Sequence, residues 1–149
     1  MPIPEFFLDT SALFAGIWSA TGGARMLLKL GEAQAVQLQV SSQVLTEIEN
    51  VVRRKAPQNL GALALLLDRS RIRLAASPST EEISRCEELL TYRPDAIVLA
   101  AAWKAQVDFF VTLDGRHFLN NQQLHALAPF KIGTPGTCLA WYRDHIVSK

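Results

Sequence analysis

A chain of 149 residues is long enough for one domain, 1–149, with a sizeable core. Its 49% apolar and 19% charged residues exclude a disordered tail, and no repeat, low-complexity tract or Pro/Gly/Ser-rich linker divides it. Fifteen Lys and Arg against fourteen Asp and Glu leave a formal charge of +1, which does not demand a polyanionic partner but allows one through a local basic patch.

In chain order, short apolar runs alternate with helical patterns. Residues 6–8 read as the end of a first strand and residues 36–40 as a second. Ser42 fits the N-cap of a helix whose apolar stripe is Val44, Leu45, Ile48, Val51 and Val52. Pro57 suits the first turn of a helix through Leu60, Leu63, Ala64 and Leu67. Residues 72–75 form a weaker third strand, and 81–90 an amphipathic helix with Ile83, Cys86, Leu89 and Leu90 on one side. Pro94 opens the most apolar helix, 96–105, which reads as buried around most of its circumference. Residues 109–112 and 130–133 are the fourth and fifth strands, and Pro135 starts a last helix through Leu139, Trp141 and Tyr142. Strands alternating with helices indicate an α/β fold with a mainly parallel sheet.

The opening Met1-Pro2-Ile3-Pro4-Glu5 has no basic segment followed by a long apolar stretch, so no secretory leader is expected. The longest apolar runs, such as 96–103, are far short of a membrane span. A cytoplasmic protein without membrane association is the expectation. Cys86 and Cys138 lie far apart, at no metal or redox spacing, and read as buried, reduced thiols.

Four acids stand out against this frame. Ligands of an open parallel sheet bind outside the carboxyl ends of its strands. Asp9 directly follows the first strand, and Asp114 comes two residues after the fourth. Asp95 stands in the first turn of the apolar helix, and Glu47 borders an apolar stripe between Val44 and Val51. Each also has a purely structural use. Asp9 and Asp114 can cap a helix or turn, Asp95 can answer a helix dipole, and Glu47 can be a solvated helix residue. Their combination is the stronger signal. Carboxylates gathered at one edge repel, and a hard divalent cation such as Mg²⁺ or Mn²⁺ relieves that repulsion with oxygen ligands. Such an ion activates water on a phosphodiester.

The four motifs resemble those of the PIN domain family. Phe7-Leu8-Asp9-Thr10-Ser11 is similar to that family's opening, and Ser42-Gln43-Val44-Leu45-Thr46-Glu47-Ile48 to its second acidic motif. The run from Pro94-Asp95-Ala96 to Ala102 resembles the third, Phe110-Val111-Thr112-Leu113-Asp114 the fourth, and Lys131-Ile132-Gly133-Thr134-Pro135 the ending. The resemblance implies a three-layer α/β/α sandwich around a mainly parallel sheet of about five strands. It implies a Mg²⁺- or Mn²⁺-dependent endoribonuclease, with Asp9, Asp95 and Asp114 as metal ligands and Glu47 completing the catalytic set. Ser11 and Thr112 would hydrogen-bond these carboxylates from behind. Many small bacterial members are VapC-type toxins paired with a small antitoxin protein and often homodimeric, so RNA, an antitoxin and a second copy are the implied partners. Many relatives carry a further acid two residues after the fourth motif's Asp. Here Arg116 stands there and is a candidate contact for substrate phosphate.

Other features are less telling. Arg53-Arg54-Lys55 can meet an RNA backbone or complement a helix C-terminus. Arg69, Arg71 and Arg73 alternate and would share one face of the third strand. Trp18, Trp103 and Trp141 read as core or interface residues, and His117 as a lone histidine outside the site. Two other functions remain in view. One is a PIN-fold binding module for RNA or protein that has lost catalysis, cued by Arg116. The other is a haloacid-dehalogenase-type phosphatase, which wants an acid where Ser11 stands.

Overall fold

Short segments, apolar in β1 and β4 and mixed in the others, supply the strands. A computed structural model describes residues 3–148; Met1 and Pro2, where the reading of no leader begins, lie outside the described residues. β1 (Glu5–Leu8) is the central strand, flanked by β2 (Gln37–Val40) and β4 (Phe109–Val111), with β3 (Arg73–Leu74) and β5 (Lys131–Gly133) at the edges. All four pairings are parallel, and the order is β3-β2-β1-β4-β5. Both faces of such a sheet are covered, which is why β1 and β4 read as apolar runs, while β2 alternates Gln37 and Gln39 with Leu38 and Val40.

Alternation along the strands sorts the aromatic residues onto two faces. Phe7 stacks on its register partner Phe110 at 5.5 Å, and Phe110 in turn contacts Phe118 and Phe130. Phe6 and Phe109 point the other way, where Trp141 meets Phe6 at 5.9 Å and Phe109 at 5.9 Å. Trp141 belongs to α8 (Pro135–Tyr142), which packs on α2 (Gly23–Glu32). On the Phe7 side, Trp103 of α6 (Arg93–Ala105) packs edge-on against Phe130, and α6 pairs with α5 (Thr80–Glu87). Helices thus lie on both sides of one parallel sheet, the expected α/β/α arrangement.

Local chemistry sets the helix ends. α1 (Thr10–Trp18) starts at once after β1, with Asp9 as its N-cap. α3 (Ser42–Lys55) is capped by Ser41, whose hydroxyl accepts from the Val44 amide; Ser42, expected in that role, is exposed one residue later. The Asn, Ser or Thr at a cap must bond an amide two or three residues on, and Ser41 alone has the extended backbone for it. A 3₁₀ turn, Pro57–Asn59, leads into α4 (Leu60–Arg69). α7 (Gln122–Leu127) is short, and Thr134 caps α8 ahead of Pro135.

The arginine row of the third strand does not form. Arg69 ends α4, Arg71 turns through a positive φ of 55°, and only Arg73 enters β3. Cys86 and Cys138 are buried free thiols, as expected. Among the described residues, no helix is long and apolar enough to cross a membrane.

Gly31, near the end of α2, sits where a side chain does not fit. A Cβ there would lie 2.6 Å from the Ser70 carbonyl oxygen and 2.8 Å from Leu38 Cδ1. Replacing it with alanine forces α2 away from β2, so Gly31→Ala should destabilise by about 1–3 kcal/mol despite alanine's better helix propensity. Urea unfolding of the two proteins checks this, and an unchanged or raised midpoint would contradict it.

Candidate active site

The strand order reverses between β1 and β4, because the chain runs outward from β1 to β3 and then returns to β1's other side. The crevice that opens at such a point lies beyond the strands' carboxyl ends. Here it is a cleft of about 350 Å³ whose walls include Asp9, Glu47, Asp95 and Asp114, with Phe14, Val98 and Phe118 as apolar lining. All four sequence-predicted acids are therefore brought together.

Asp9 is buried, and both of its oxygens are held. Ser11 Oγ donates to Oδ1 at 2.7 Å, the Ala12 amide donates to the same oxygen at 3.1 Å, and Thr112 Oγ1 donates to Oδ2 at 2.6 Å. The Asp9 amide donates to the Val111 carbonyl at 3.1 Å, which ties the ends of β1 and β4. Ser11 is also fixed from the segment after β4, where Leu113 N–H donates to its Oγ, and Thr112 is fixed locally by Asp114 N–H, which donates to its Oγ1. Ser11 and Thr112 thus both donate to the Asp9 carboxylate.

Glu47 is half-buried on α3. Thr10 Oγ1 donates to its Oε2 at 2.6 Å, and Gln43 Nε2 lies 3.4 Å from its Oε1. Thr10 was not singled out in the sequence, although a hydroxyl next to Asp9 in a helix's first turn was a visible cue. Asp114 caps a π-helical turn, Gly115–Leu119, by accepting from the His117 amide at 3.0 Å. The capping role and the place in the cleft coexist: one Asp114 oxygen takes the amide and the other faces the cleft's histidine.

That histidine corrects the sequence reading. His117 Nδ1 lies 3.0 Å from Asp114 Oδ2 and 2.9 Å from Asp95 Oδ2. The signal was its spacing, because a capping Asp draws the residue three positions on into contact. The hydrogen bond runs to Asp114, and Asp95 Oδ2 is left buried without one. Arg116, in the same turn, is exposed. Arg53, Arg54 and Lys55 end α3 on exposed positions, about 9–12 Å of helix rise from Glu47. Trp18 is 45% exposed and stacks on Phe14; Trp103 and Trp141 pack against the core.

Burial pushes the Asp95 carboxyl up to about 6; the nearby Asp114, Asp9 and Glu47 charges add to this, and His117 opposes it. Burial also raises Asp9, against the hydrogen bonds from Ser11, Thr112 and Ala12 that favour its charged form. Asp95, Asp114 and His117 can each aim one ligand atom at a common point, these atoms lying within 4.8 Å of one another. An uncompensated, mostly carboxylate donor set with a buried oxygen lacking a hydrogen bond suits a hard divalent cation.

A PIN domain family model matches residues 5–116. The VapBC2 structure from Rickettsia felis, bound to a DNA fragment from its promoter, is 19% identical with a TM-score of 0.63, covering 87% of this chain and 96% of that one. DNA-bound VapBC from Salmonella typhimurium is 15% identical with a TM-score of 0.65, covering 89% and 99%. Mycobacterium tuberculosis VapC20, a Sarcin-Ricin loop cleaving toxin, is 18% identical with a TM-score of 0.52, covering 74% and 90%. No curated protein matches.

The raised carboxyls set a pH dependence. Folded Asp95 holds its proton more tightly than the unfolded chain does, so the stability it contributes is fully present below pH 3.8 and is lost as pH rises through about 6. In EDTA, Asp95→Asn should therefore gain stability relative to the unsubstituted protein across that interval. Thermal melts of both proteins from acid to neutral pH measure the difference; a difference that stays flat with pH would refute the assignment.

Proposed function

The chain belongs to the PIN domain family, and from that premise we propose that it is a Mg²⁺- or Mn²⁺-dependent endoribonuclease, the toxin of a toxin–antitoxin pair. The observation that carries this reading is the cleft itself. Four carboxylates from distant segments converge there, and one buried Asp95 oxygen has no hydrogen bond. A protein keeping only the fold has no use for a half-buried carboxylate set among other acids, which repel it. That argument favours catalysis over a binding module that has lost it.

In this reading Asp9, Asp95 and Asp114 hold the ion, and His117 stands beside the last two. A bound Mg²⁺ or Mn²⁺ supplies positive charge for the scissile phosphate and an activated water. Ser11 and Thr112 keep the Asp9 carboxylate in one orientation. Thr10 and Gln43 fix Glu47, which is suited to hold the attacking water and accept its proton. Arg116, exposed beside the cleft, is the cation best placed in sequence for a substrate phosphate. The proposed partners are RNA, a small antitoxin protein and a second copy of the chain, and the proposed location is the cytoplasm. VapC-type relatives support the antitoxin through likeness of fold.

Purified protein should cleave single-stranded RNA with Mn²⁺ or Mg²⁺. Asp9→Asn, Asp95→Asn and Asp114→Asn should each lower the rate by at least about a hundredfold. Cleavage that persists in excess EDTA, or that Asp9→Asn leaves intact, would overturn the reading. Metal should also raise the melting temperature, with about 2.7 kcal/mol of stabilisation at a hundred times its Kd, and Asp9→Asn should blunt that rise.

A further inference from the structure

Tyr92 lies immediately before α6, and its backbone carbonyl accepts from the Asp95 and Ala96 amides at 3.1 Å each. Its side chain does something else. It is 56% exposed and makes no cap hydrogen bond. One face of its ring lies nearly parallel to the His117 imidazole, with ring centres 5.9 Å apart at 16°. The imidazole in turn touches Asp95 and Asp114. A large, exposed aromatic ring thus lies beside the imidazole that touches two of the cleft's acids.

The fold gives no reason for this residue. Tyr92 is absent from the apolar core, and an N-cap ordinarily carries Ser, Thr, Asp or Asn. The cleft does give one. Its acids repel a phosphate backbone, and the basic cluster Arg53, Arg54 and Lys55 lies at the far end of α3. Arg116 is the exposed cation nearest in sequence to the cleft's acids, and stacking of a base on an aromatic face adds affinity that a single cation does not supply. A neutral ring adds that affinity without neutralising the carboxylates.

We propose that Tyr92 is a stacking platform for one nucleobase of single-stranded RNA, holding the strand so that an adjacent phosphate lies at the acidic cleft. It is a positioning residue, and the proposal rests on the ribonuclease reading for the identity of its substrate. His117 would serve as the support that fixes the ring's orientation.

The test uses the full chain as wild type, Tyr92→Ala, Tyr92→Leu, Tyr92→Phe and Tyr92→Trp. Leucine keeps apolar bulk without an aromatic face, and phenylalanine keeps the face without the hydroxyl. Single-stranded RNA oligomers each carrying one 2-aminopurine, at successive positions, are titrated with protein in Ca²⁺. At one position the fluorescence should be quenched by wild type, Tyr92→Phe and Tyr92→Trp, and not by Tyr92→Ala or Tyr92→Leu. The last two should also bind about tenfold more weakly and, in Mn²⁺, show KM raised about tenfold with kcat within about twofold. Their melting temperatures should match wild type. Equal quenching and equal KM in wild type and Tyr92→Leu would overturn the proposal, as would a loss shared by Tyr92→Phe. Cleavage that is indifferent to Tyr92 leaves the nuclease reading standing and removes this one. Quenching without cleavage does the reverse, and neither quenching nor cleavage removes both.

Discussion

Asp9 is buried at the end of the central strand, and its two carboxylate oxygens accept three hydrogen bonds. Those bonds come from both sides of the crevice: Ser11 and Ala12 follow β1, while Thr112 follows β4. A charged group taken out of water is tolerated only if its hydrogen bonds are replaced. Satisfying Asp9 therefore requires β1 and β4 to be adjacent and in one register, as the Phe7–Phe110 pairing provides. The hydroxyls that satisfy Asp9 are the same ones that accept from Leu113 and Asp114, so the loop after β4 is positioned by the same network. Core packing, strand order and the aim of the acids are in this sense one arrangement.

Asp95 is the counterpoint. It gains no such satisfaction, and burial, helped by the neighbouring carboxylates, pushes its carboxyl toward neutrality. The contrast between a carboxylate locked by donors and one left without them is what gives the cleft its chemistry. A protein optimised for stability alone would replace Asp95 with an apolar residue, given that Ala96, Val98 and Leu99 beside it are all buried. The contact with His117 eases the repulsion without removing it, because one ring N–H cannot satisfy two carboxylates.

The sequence was legible where one physical demand acted on a continuous segment. Strands buried on both faces showed as apolar runs, and prolines marked the starts of α6 and α8. The acids showed because strand ends and helix starts are where a parallel sheet exposes its crevice. What stayed hidden depended on contacts between segments. α1 has no charged residue, so no polar stripe marked it as a helix. α2 was not expected from the sequence; its Gly31 is there because Ser70 and Leu38 leave no room for a Cβ. α7, at six residues, is too short to display a period. His117 and Tyr92 acquire meaning only through each other and the acids, across 25 residues of chain that no local pattern spans.

The bond from Thr112 to Asp9 joins residues 103 positions apart. A chain emerging from the ribosome exposes Asp9 first, and this partner exists only after most of the sequence has been translated. Until then β1 has no β4 beside it, Asp9 lacks its Oδ2 donor, and the four acids are held far apart by unfolded chain. Contacts of such long separation form late, because closing the loop costs entropy before any contact repays it. If the cleft is the RNA-cutting site proposed above, that site is complete only once the segment after β4 has joined the end of β1.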